Sequence, residues 1–147
     1  MYKENVDNTQ SLQNTADIFL ETITQKDKFK HACVVGLIGT LGSGKTTFTQ
    51  FTAQKLGIKD NVLSPTFVIE KIYKIPDNKT FSNFIHIDAY RIEDEKELKV
   101  LGWDEIIENE ENLIFVEWAD KIENILPEDT IKIHFSFINN TTREISW

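Results

Sequence analysis

The fold is decided by the stretch Gly39-Thr40-Leu41-Gly42-Ser43-Gly44-Lys45-Thr46, which matches the pattern G-x-x-x-x-G-K-[ST]. A mostly apolar run at residues 32–38 precedes it, as expected for a strand buried on both faces of a parallel sheet. Residues 45–56 follow and are typical of a helix. This order of strand, loop and helix is the context in which the pattern builds a phosphate-binding loop. The alternative, a glycine-rich turn with a chance Lys-Thr pair, is strongly disfavoured by these flanking segments.

Each part of the loop has a separate task in binding a nucleotide. The backbone N–H groups of the loop and the helix N-terminus are expected to point at the β-phosphate. Lys45 is expected to reach the β and γ oxygens, and the Thr46 hydroxyl to bind Mg²⁺. The predicted nucleotide-binding residues of this segment are Gly39, Thr40, Leu41, Gly42, Ser43, Gly44, Lys45, Thr46 and Thr47.

Composition narrows the class of protein further. The 147 residues suffice for one domain with its own core, and a net charge of −8 disfavours direct, tight binding of nucleic acid. The single cysteine, Cys33, excludes an internal disulfide and is expected to be a small core residue in a reducing compartment. Neither a membrane span nor a signal peptide is evident, so we expect a cytoplasmic protein.

The pattern along the chain predicts one mixed α/β domain over residues 1–147. Residues 1–9 are polar and predicted to be frayed, and apolar residues from Leu12 to Ile23 recur at helical spacing. Further strands are predicted at residues 66–73, 84–88, 113–116, 131–137 and 143–147, and a short charged helix at residues 94–101. The first two of these strands are expected to pair antiparallel across a turn at residues 76–79.

Two acidic residues stand at the ends of apolar runs. Asp88 follows residues 84–87, and Glu117 follows residues 113–116. A carboxylate at the end of a strand beside a phosphate-binding loop can hold Mg²⁺ directly or through water, because Mg²⁺ prefers oxygen ligands. The alternative for each is a helix cap or a surface charge. Both acids occur beside the same loop motif, and we therefore predict that they form the metal site.

The loop Ser64-Pro65-Thr66-Phe67 lies where many nucleotide hydrolases carry a switch segment. Thr66 is the candidate to contact the metal or the γ-phosphate when a triphosphate is bound. The alternative is a plain turn entering a strand, in which the proline holds Ser64 away from helical geometry. Spacing alone does not separate these two interpretations.

Arg91 and Arg143 are candidate cations for the charge that develops on a γ-phosphoryl group, with surface ion pairs as the alternative. His86 precedes Asp88 by two residues on the same strand and therefore shares its face. It is a candidate to orient water or to position that acid, and a core histidine is an equally good interpretation.

Two absences in the sequence bear on the substrate. No guanine-reading Asn-Lys-x-Asp segment follows the loop, since Phe81 stands where the acid of Asn78-Lys79-Thr80-Phe81 would be. Adenine is therefore favoured over guanine. The chain also lacks room for the lid and substrate domain that small-molecule kinases generally carry.

Four segments together resemble the TsaE family, formerly YjeE. They are residues 39–46, Ser64-Pro65-Thr66-Phe67, His86-Ile87-Asp88-Ala89-Tyr90-Arg91 and Glu117-Trp118, in matching order and spacing over roughly residues 10–145. Bacterial members of the family are small P-loop ATPases required for threonylcarbamoyladenosine formation at position 37 of tRNAs that read ANN codons. They act with TsaB and with TsaD, the subunit that transfers the threonylcarbamoyl group.

The resemblance implies a single-domain P-loop NTPase fold with a mixed, largely parallel central sheet flanked by helices. It further implies Mg-dependent hydrolysis of ATP to reset the complex with TsaB and TsaD, so that tRNA is reached only indirectly. By position, Lys45 would bind phosphates, Thr46 and Glu117 would hold magnesium, Asp88 would be a second acid and Thr66 the switch threonine. Thr15 and Arg143 would contribute to the nucleotide site. Thr40 replaces a common aspartate and Ser43 a common alanine.

Two functions from other classes stay open at this point. A small-molecule kinase would transfer phosphate rapidly to a metabolite, whereas the ATPase would release it slowly. A nucleotide-dependent binding module would show no useful turnover. This alternative is suggested by the lack of an arginine that the sequence identifies clearly as an arginine finger. The expected ATPase has low intrinsic activity that partner proteins stimulate.

Overall fold

A computed structural model of the protein describes residues 1–25 and 29–147. Its helices are α1 (Thr9–Thr24), α2 (Lys45–Lys55), α3 (Lys96–Val100) and α4 (Trp103–Glu108), with a 3₁₀ helix at Ala119–Ile125. Its strands are β1 (Lys3–Val6), β2 (Cys33–Gly39), β3 (Glu70–Lys74), β4 (Asn83–Asp88), β5 (Asn112–Glu117), β6 (Ile131–Phe137) and β7 (Arg143–Ser146).

All seven strands form one sheet in the order β1-β7-β6-β2-β5-β4-β3. The four strands from β6 to β4 are parallel, and β3 and β7 pair antiparallel on either side of them. Helices α1 and α2 cover one face, where Phe19 and Phe48 pack with Phe115 of β5. On the other face, Leu98 and Trp103 pack against the alternate residues of the strands, such as Ile85 and Ile114. The predicted fold class is therefore confirmed.

The face beneath α1 and α2 changes from apolar to polar along the strands. On β4 the buried residues of this face run Phe84, His86, Asp88, because alternate residues share a side of a strand. On β5, Phe115 is followed by Glu117. Asp88 and Glu117 are register partners in the parallel pair of strands. The sheet thus places two buried carboxylates side by side where β2 enters the loop.

The N-terminus differs from its prediction. Instead of fraying, β1 pairs antiparallel with β7, and Val6 is buried. The backbones of Tyr2 and Trp147 also exchange two hydrogen bonds, at 2.7 and 3.1 Å, and their rings stack with centroids 4.0 Å apart. The N-terminal residues are ordered because they pair with residues 143–147, which are distant in the sequence. Their polarity alone therefore gave the wrong prediction.

The strand predicted at residues 66–73 begins later, as β3 at Glu70. The preceding residues form a turn, in which the Ile69 N–H donates to the Pro65 carbonyl at 2.7 Å and Ile69 has a φ of 68°. Strand-forming side chains therefore occur here in a turn that is solvent-exposed at Phe67 and Val68. The antiparallel pairing of β3 with β4 is as predicted. Within the two described ranges, no helix is both long and apolar enough to cross a membrane.

Candidate functional site

The loop between β2 and α2 has the backbone geometry of an anion-binding site. Gly42 and Gly44 have φ values of 76° and 106°, in the left-handed region that glycine adopts without a steric cost. Gly44 is also the N-cap of α2, and no side chain of the described residues caps this helix. The first N–H groups of α2 are therefore available to an anion, with the helix dipole favouring negative charge there.

The Lys45 side chain lies inside the curve of this loop and is 4% exposed. Its Nζ donates to the carbonyls of Gly39 at 2.6 Å and Thr40 at 3.0 Å, and lies 4.1 Å from the centre of the Trp118 ring. Burial lowers the pKa of Lys45 below its usual value, while the negative charges of Glu117, Asp120 and Asp88 oppose that shift. The loop thus holds a partly desolvated ammonium among acceptors.

Glu117 joins three elements of the fold. The Thr46 hydroxyl donates to its carboxylate, with Oγ1 at 2.8 Å from Oε1 and 2.9 Å from Oε2. Nε2 of His86 lies 2.8 Å from Oε1 of the same carboxylate. The sequence pattern placed His86 beside Asp88, whereas the structure shows it hydrogen-bonded to Glu117 on the neighbouring strand.

Asp88 anchors the start of the turn at residues 66–69 and the loop just before it. Its Oδ2 accepts hydrogen bonds from Ser64 Oγ at 2.7 Å and from Thr66 Oγ1 at 3.0 Å. Its Oδ1 accepts from the Tyr90 N–H at 2.9 Å. The predicted switch threonine is therefore linked directly to the predicted second acid.

These groups converge on a cavity of about 380 Å³. Its walls include Leu41 to Thr47, Ser64, Thr66, Asp88, Tyr90, Glu117 and Trp118. The structure therefore brings together the predicted Lys45, Thr46, Thr66, Asp88 and Glu117. Ser64 and Tyr90 also line the cavity; neither was predicted as a site residue, although both belong to segments that carry the family resemblance.

A second cavity, of about 280 Å³, lies on the other side of the loop. The segment from Val6 to Thr9 contributes to its walls together with Gly42 to Gly44, Thr47 and Arg143. Nη2 of Arg143 lies 3.5 Å from the Gly42 carbonyl. Sequence reasoning missed the N-terminal segment, yet a signal was present, since Asn8 and Ser11 form a capping box at the start of α1.

Gly39 and Thr40 of the loop line neither cavity, and two further candidate residues lie elsewhere. Thr15 is 1% exposed, and its hydroxyl donates within α1 to the Ser11 carbonyl at 2.9 Å, so it lines neither cavity. Arg91 stacks over Phe67, with its guanidinium carbon 4.8 Å from the ring centre, and is also outside both cavities. Lys45 is therefore the one cationic side chain among the described residues that line the larger cavity.

The donor set at this site is compatible with magnesium. Thr46, Glu117 and Asp88 offer one hydroxyl and two carboxylates, which are the oxygen ligands that this ion prefers. In the part of the chain that the structure describes, no group of three or more His, Cys, Asp or Glu could hold a metal by itself. Mg²⁺ sites commonly use one or two carboxylates and take their other ligands from phosphates and water.

The mixed sheet and the loop between β2 and α2 define a single-domain P-loop NTPase fold. The sequence profile described as "Threonylcarbamoyl adenosine biosynthesis protein TsaE" matches residues 6–145. The chain belongs to this family, as its sequence motifs predicted.

Individual relatives agree with this assignment. A protein of Rickettsia typhi named "tRNA threonylcarbamoyladenosine biosynthesis protein TsaE" is 33% identical over 132 residues, covering 89% of this chain and 83% of its own length. A protein of Bacillus subtilis with the same name is 42% identical over 114 residues, or 78% of this chain and 68% of its own. The crystal structure of Bacillus subtilis YdiB superposes with a TM-score of 0.74 at 31% identity, covering 98% of this chain and 82% of that one.

Proposed function

We propose that this protein is a Mg-dependent ATP hydrolase that acts with TsaB and TsaD in forming threonylcarbamoyladenosine at position 37 of tRNAs reading ANN codons. It would act in the cytoplasm and reach tRNA only through these partners. The observation that carries the proposal is the contact of the Thr46 hydroxyl with the Glu117 carboxylate at the rim of the loop that holds Lys45. The names of the relatives supply the tRNA modification, and the resemblance supplies the partners.

The triphosphate would bind along the loop, where the free N–H groups of α2 and the Lys45 ammonium offer charge and hydrogen bonds. In this position Lys45 would exchange its bonds to the Gly39 and Thr40 carbonyls for bonds to phosphate oxygens. The nucleoside would extend toward the second cavity, which Thr47 shares with the first. Arg143, which lines that cavity, would contact it.

Thr46 and Glu117 would hold Mg²⁺, with Asp88 as the further acid beside them. Bound there, the ion would neutralise charge on the phosphate oxygens. The chain itself would position the reactants: Lys45 would contact the transferred phosphoryl group, and Thr66 would close on it when the triphosphate is present. Water would attack in line with the leaving oxygen, with positioning and charge stabilisation supplying most of the acceleration.

The shortage of cations at the larger cavity supports slow turnover by the protein alone. A guanidinium placed on the transferred phosphoryl group can raise phosphoryl-transfer rates by about 10³- to 10⁵-fold. Arg91 stacks on Phe67, and Arg143 lies on the far side of the loop. We therefore expect the partner complex to raise the rate.

Two experiments test this proposal. Depletion of the protein in its own cell should lower threonylcarbamoyladenosine in bulk tRNA, measured by nucleoside mass spectrometry, and wild-type protein but not Lys45→Ala should restore it. Unchanged levels after depletion would refute the role in tRNA modification. Phosphate release from ATP should be slow for the purified protein and faster with its cognate TsaB and TsaD. Rapid transfer of phosphate to a metabolite would instead indicate a kinase.

A further inference from the structure

His86 is a fully buried polar ring at the point where this face of the sheet changes from apolar to polar. It is 0% exposed, lies between Phe84 and Asp88 on its own strand face, and has Phe115 as its register partner on β5. Burying a polar ring among aromatic side chains costs free energy that a leucine or phenylalanine at this position would not. The position therefore needs an explanation beyond packing.

The hydrogen bonding of the ring is one-sided. Nε2 lies 2.8 Å from Oε1 of Glu117, and a carboxylate only accepts, so Nε2 carries the hydrogen and donates. The other nitrogen, Nδ1, is buried and has no hydrogen-bond partner in the described part of the chain. A histidine present only for core packing would be expected to satisfy both nitrogens. The contact with Glu117 is thus the interaction that the buried ring provides.

The Glu117 carboxylate is held by donors from two different elements. Oε1 accepts from His86 on β4 and from Thr46 at the start of α2, whereas Oε2 accepts from Thr46. Thr46 belongs to the junction of loop and helix that a bound nucleotide would contact. His86 lies on an inner strand of the sheet and fixes the carboxylate independently of that junction.

We infer that His86 is a positioning residue: its Nε2–H orients Glu117 toward Thr46 and thereby sets how strongly the site binds a divalent cation together with a nucleotide. This inference rests on the proposed function, in which Glu117 holds the metal. Loss of a group that hydrogen-bonds a metal-binding carboxylate typically lowers metal affinity by about 10- to 100-fold.

The test compares two amide substitutions that differ in reach. In His86→Gln the side-chain amide nitrogen occupies the position of Nε2 and can still donate to Glu117. In His86→Asn the amide nitrogen corresponds to Nδ1 and is too short to reach it. Phe84→Leu is the packing control. Phe84 is buried two residues before His86 on the same face of β4, and its ring contacts Phe115 instead of the site.

The quantity to measure is the affinity of the full chain for a fluorescent ADP analogue in EDTA and in saturating Mn²⁺. The ratio of the two affinities reports the coupling between metal and nucleotide without requiring hydrolysis. We expect His86→Asn to reduce this ratio about 10-fold or more, and His86→Gln and Phe84→Leu to stay within about threefold of wild type. Thermal unfolding in EDTA checks that each variant folds, and His86→Leu replaces His86→Asn should the latter fail.

The outcomes separate the inference from the proposed function. An unchanged ratio in His86→Asn, with a clear metal effect in the wild type, would overturn the role of His86 alone. An equal loss in Phe84→Leu would also overturn it, because general packing would then be the cause. A wild-type protein that bound no nucleotide, or bound it without any effect of Mn²⁺, would overturn the proposed site and this inference together.

Discussion

The hydroxyl of Thr46 lies 2.8 Å from Oε1 and 2.9 Å from Oε2 of Glu117, although the two residues are 71 positions apart in the sequence. The parallel pairing of β2 with β5 produces this contact, because it places Glu117 beside Leu37 near the start of the loop. The two proposed metal ligands are therefore brought together by the strand pairing of the sheet.

Replacing Lys45 with alanine should be the most damaging single change to nucleotide binding. The loss of a charge-assisted phosphate contact costs about 1.5–3 kcal/mol, or about 10- to 150-fold in affinity. Titration with a fluorescent ATP analogue in EDTA measures the effect. Lys55→Ala is the control, since Lys55 is an exposed residue of the same helix that pairs with Asp17. Similar affinities for the two variants would argue against the phosphate role.

Replacing Glu117 with alanine should abolish hydrolysis in the partner complex while leaving metal-free nucleotide binding intact. The loss of a metal ligand should raise the barrier by about 3 kcal/mol or more, which is about 100-fold in rate. Phosphate release and metal-free titration are the two measurements. Glu123→Ala, on the exposed surface of the 3₁₀ helix, should behave as wild type. Full activity in Glu117→Ala would exclude this residue from the metal site.

Thr66 and Ser64 share one acceptor, Oδ2 of Asp88, and this allows their roles to be separated. If Thr66 also contacts a bound triphosphate, Thr66→Val should slow hydrolysis more than Ser64→Ala and leave ADP affinity unchanged. The rates of the two variants should be measured side by side at saturating ATP. Equal rates would mean that both hydroxyls only anchor Asp88.

Nucleotide affinity should show an alkaline limit that depends on Lys45. Burial lowers the pKa of this lysine below 10.5, and only its charged form attracts phosphate. Affinity should therefore be present below the folded-state pKa and fall as pH rises through it, earlier than for an exposed lysine. Lys45→Arg keeps its charge over the same range, so its affinity should change less with pH. Parallel pH curves for the two proteins would contradict this explanation.

A methyl group at Gly36 should destabilise the fold through the 3₁₀ helix. A Cβ at Gly36 would lie 2.9 Å from the Cβ of Ala119, which is closer than carbon atoms pack. Gly36→Ala should cost about 1–3 kcal/mol of unfolding free energy, measured by urea denaturation. Adding Ala119→Gly removes the clash, so the double variant should lose less than the sum of the single changes. Additive losses would show that the contact does not limit packing.

Local patterns in the sequence predicted much of the fold. The helix around Leu12 to Ile23 follows from the helical spacing of its apolar residues, and β6 follows from strand alternation. The helix at residues 45–56 was predicted from its place after the loop motif, and β2, β4 and β5 from short apolar runs. The acids Asp88 and Glu117 could be selected because both terminate apolar strands of the same sheet. The loop motif and the three further segments were sufficient to predict the family.

What the sequence did not predict depends on contacts between distant residues. The pairing of β1 with β7, and the second cavity that it helps to form, require residues from both ends of the described chain. The hydrogen bond from His86 to Glu117 depends on how two strands align, so strand alternation alone linked His86 with Asp88 instead. Thr15 lies on the inner side of α1, and only the packed helix reveals that its hydroxyl is used locally.

The pairing of β1 with β7 has a consequence for the order of folding. Strand β1 is at the edge of the sheet and, in the described ranges, pairs with β7 alone, so it cannot pair until residues 143–146 are available. Contacts of such large sequence separation carry the greatest entropic cost of closure and tend to form late. During synthesis, Asp7 and Asn8 would thus reach their places beside Arg143 only after the rest of the sheet has been made. The side of the loop assigned here to the nucleoside would be the last part of the site to mature.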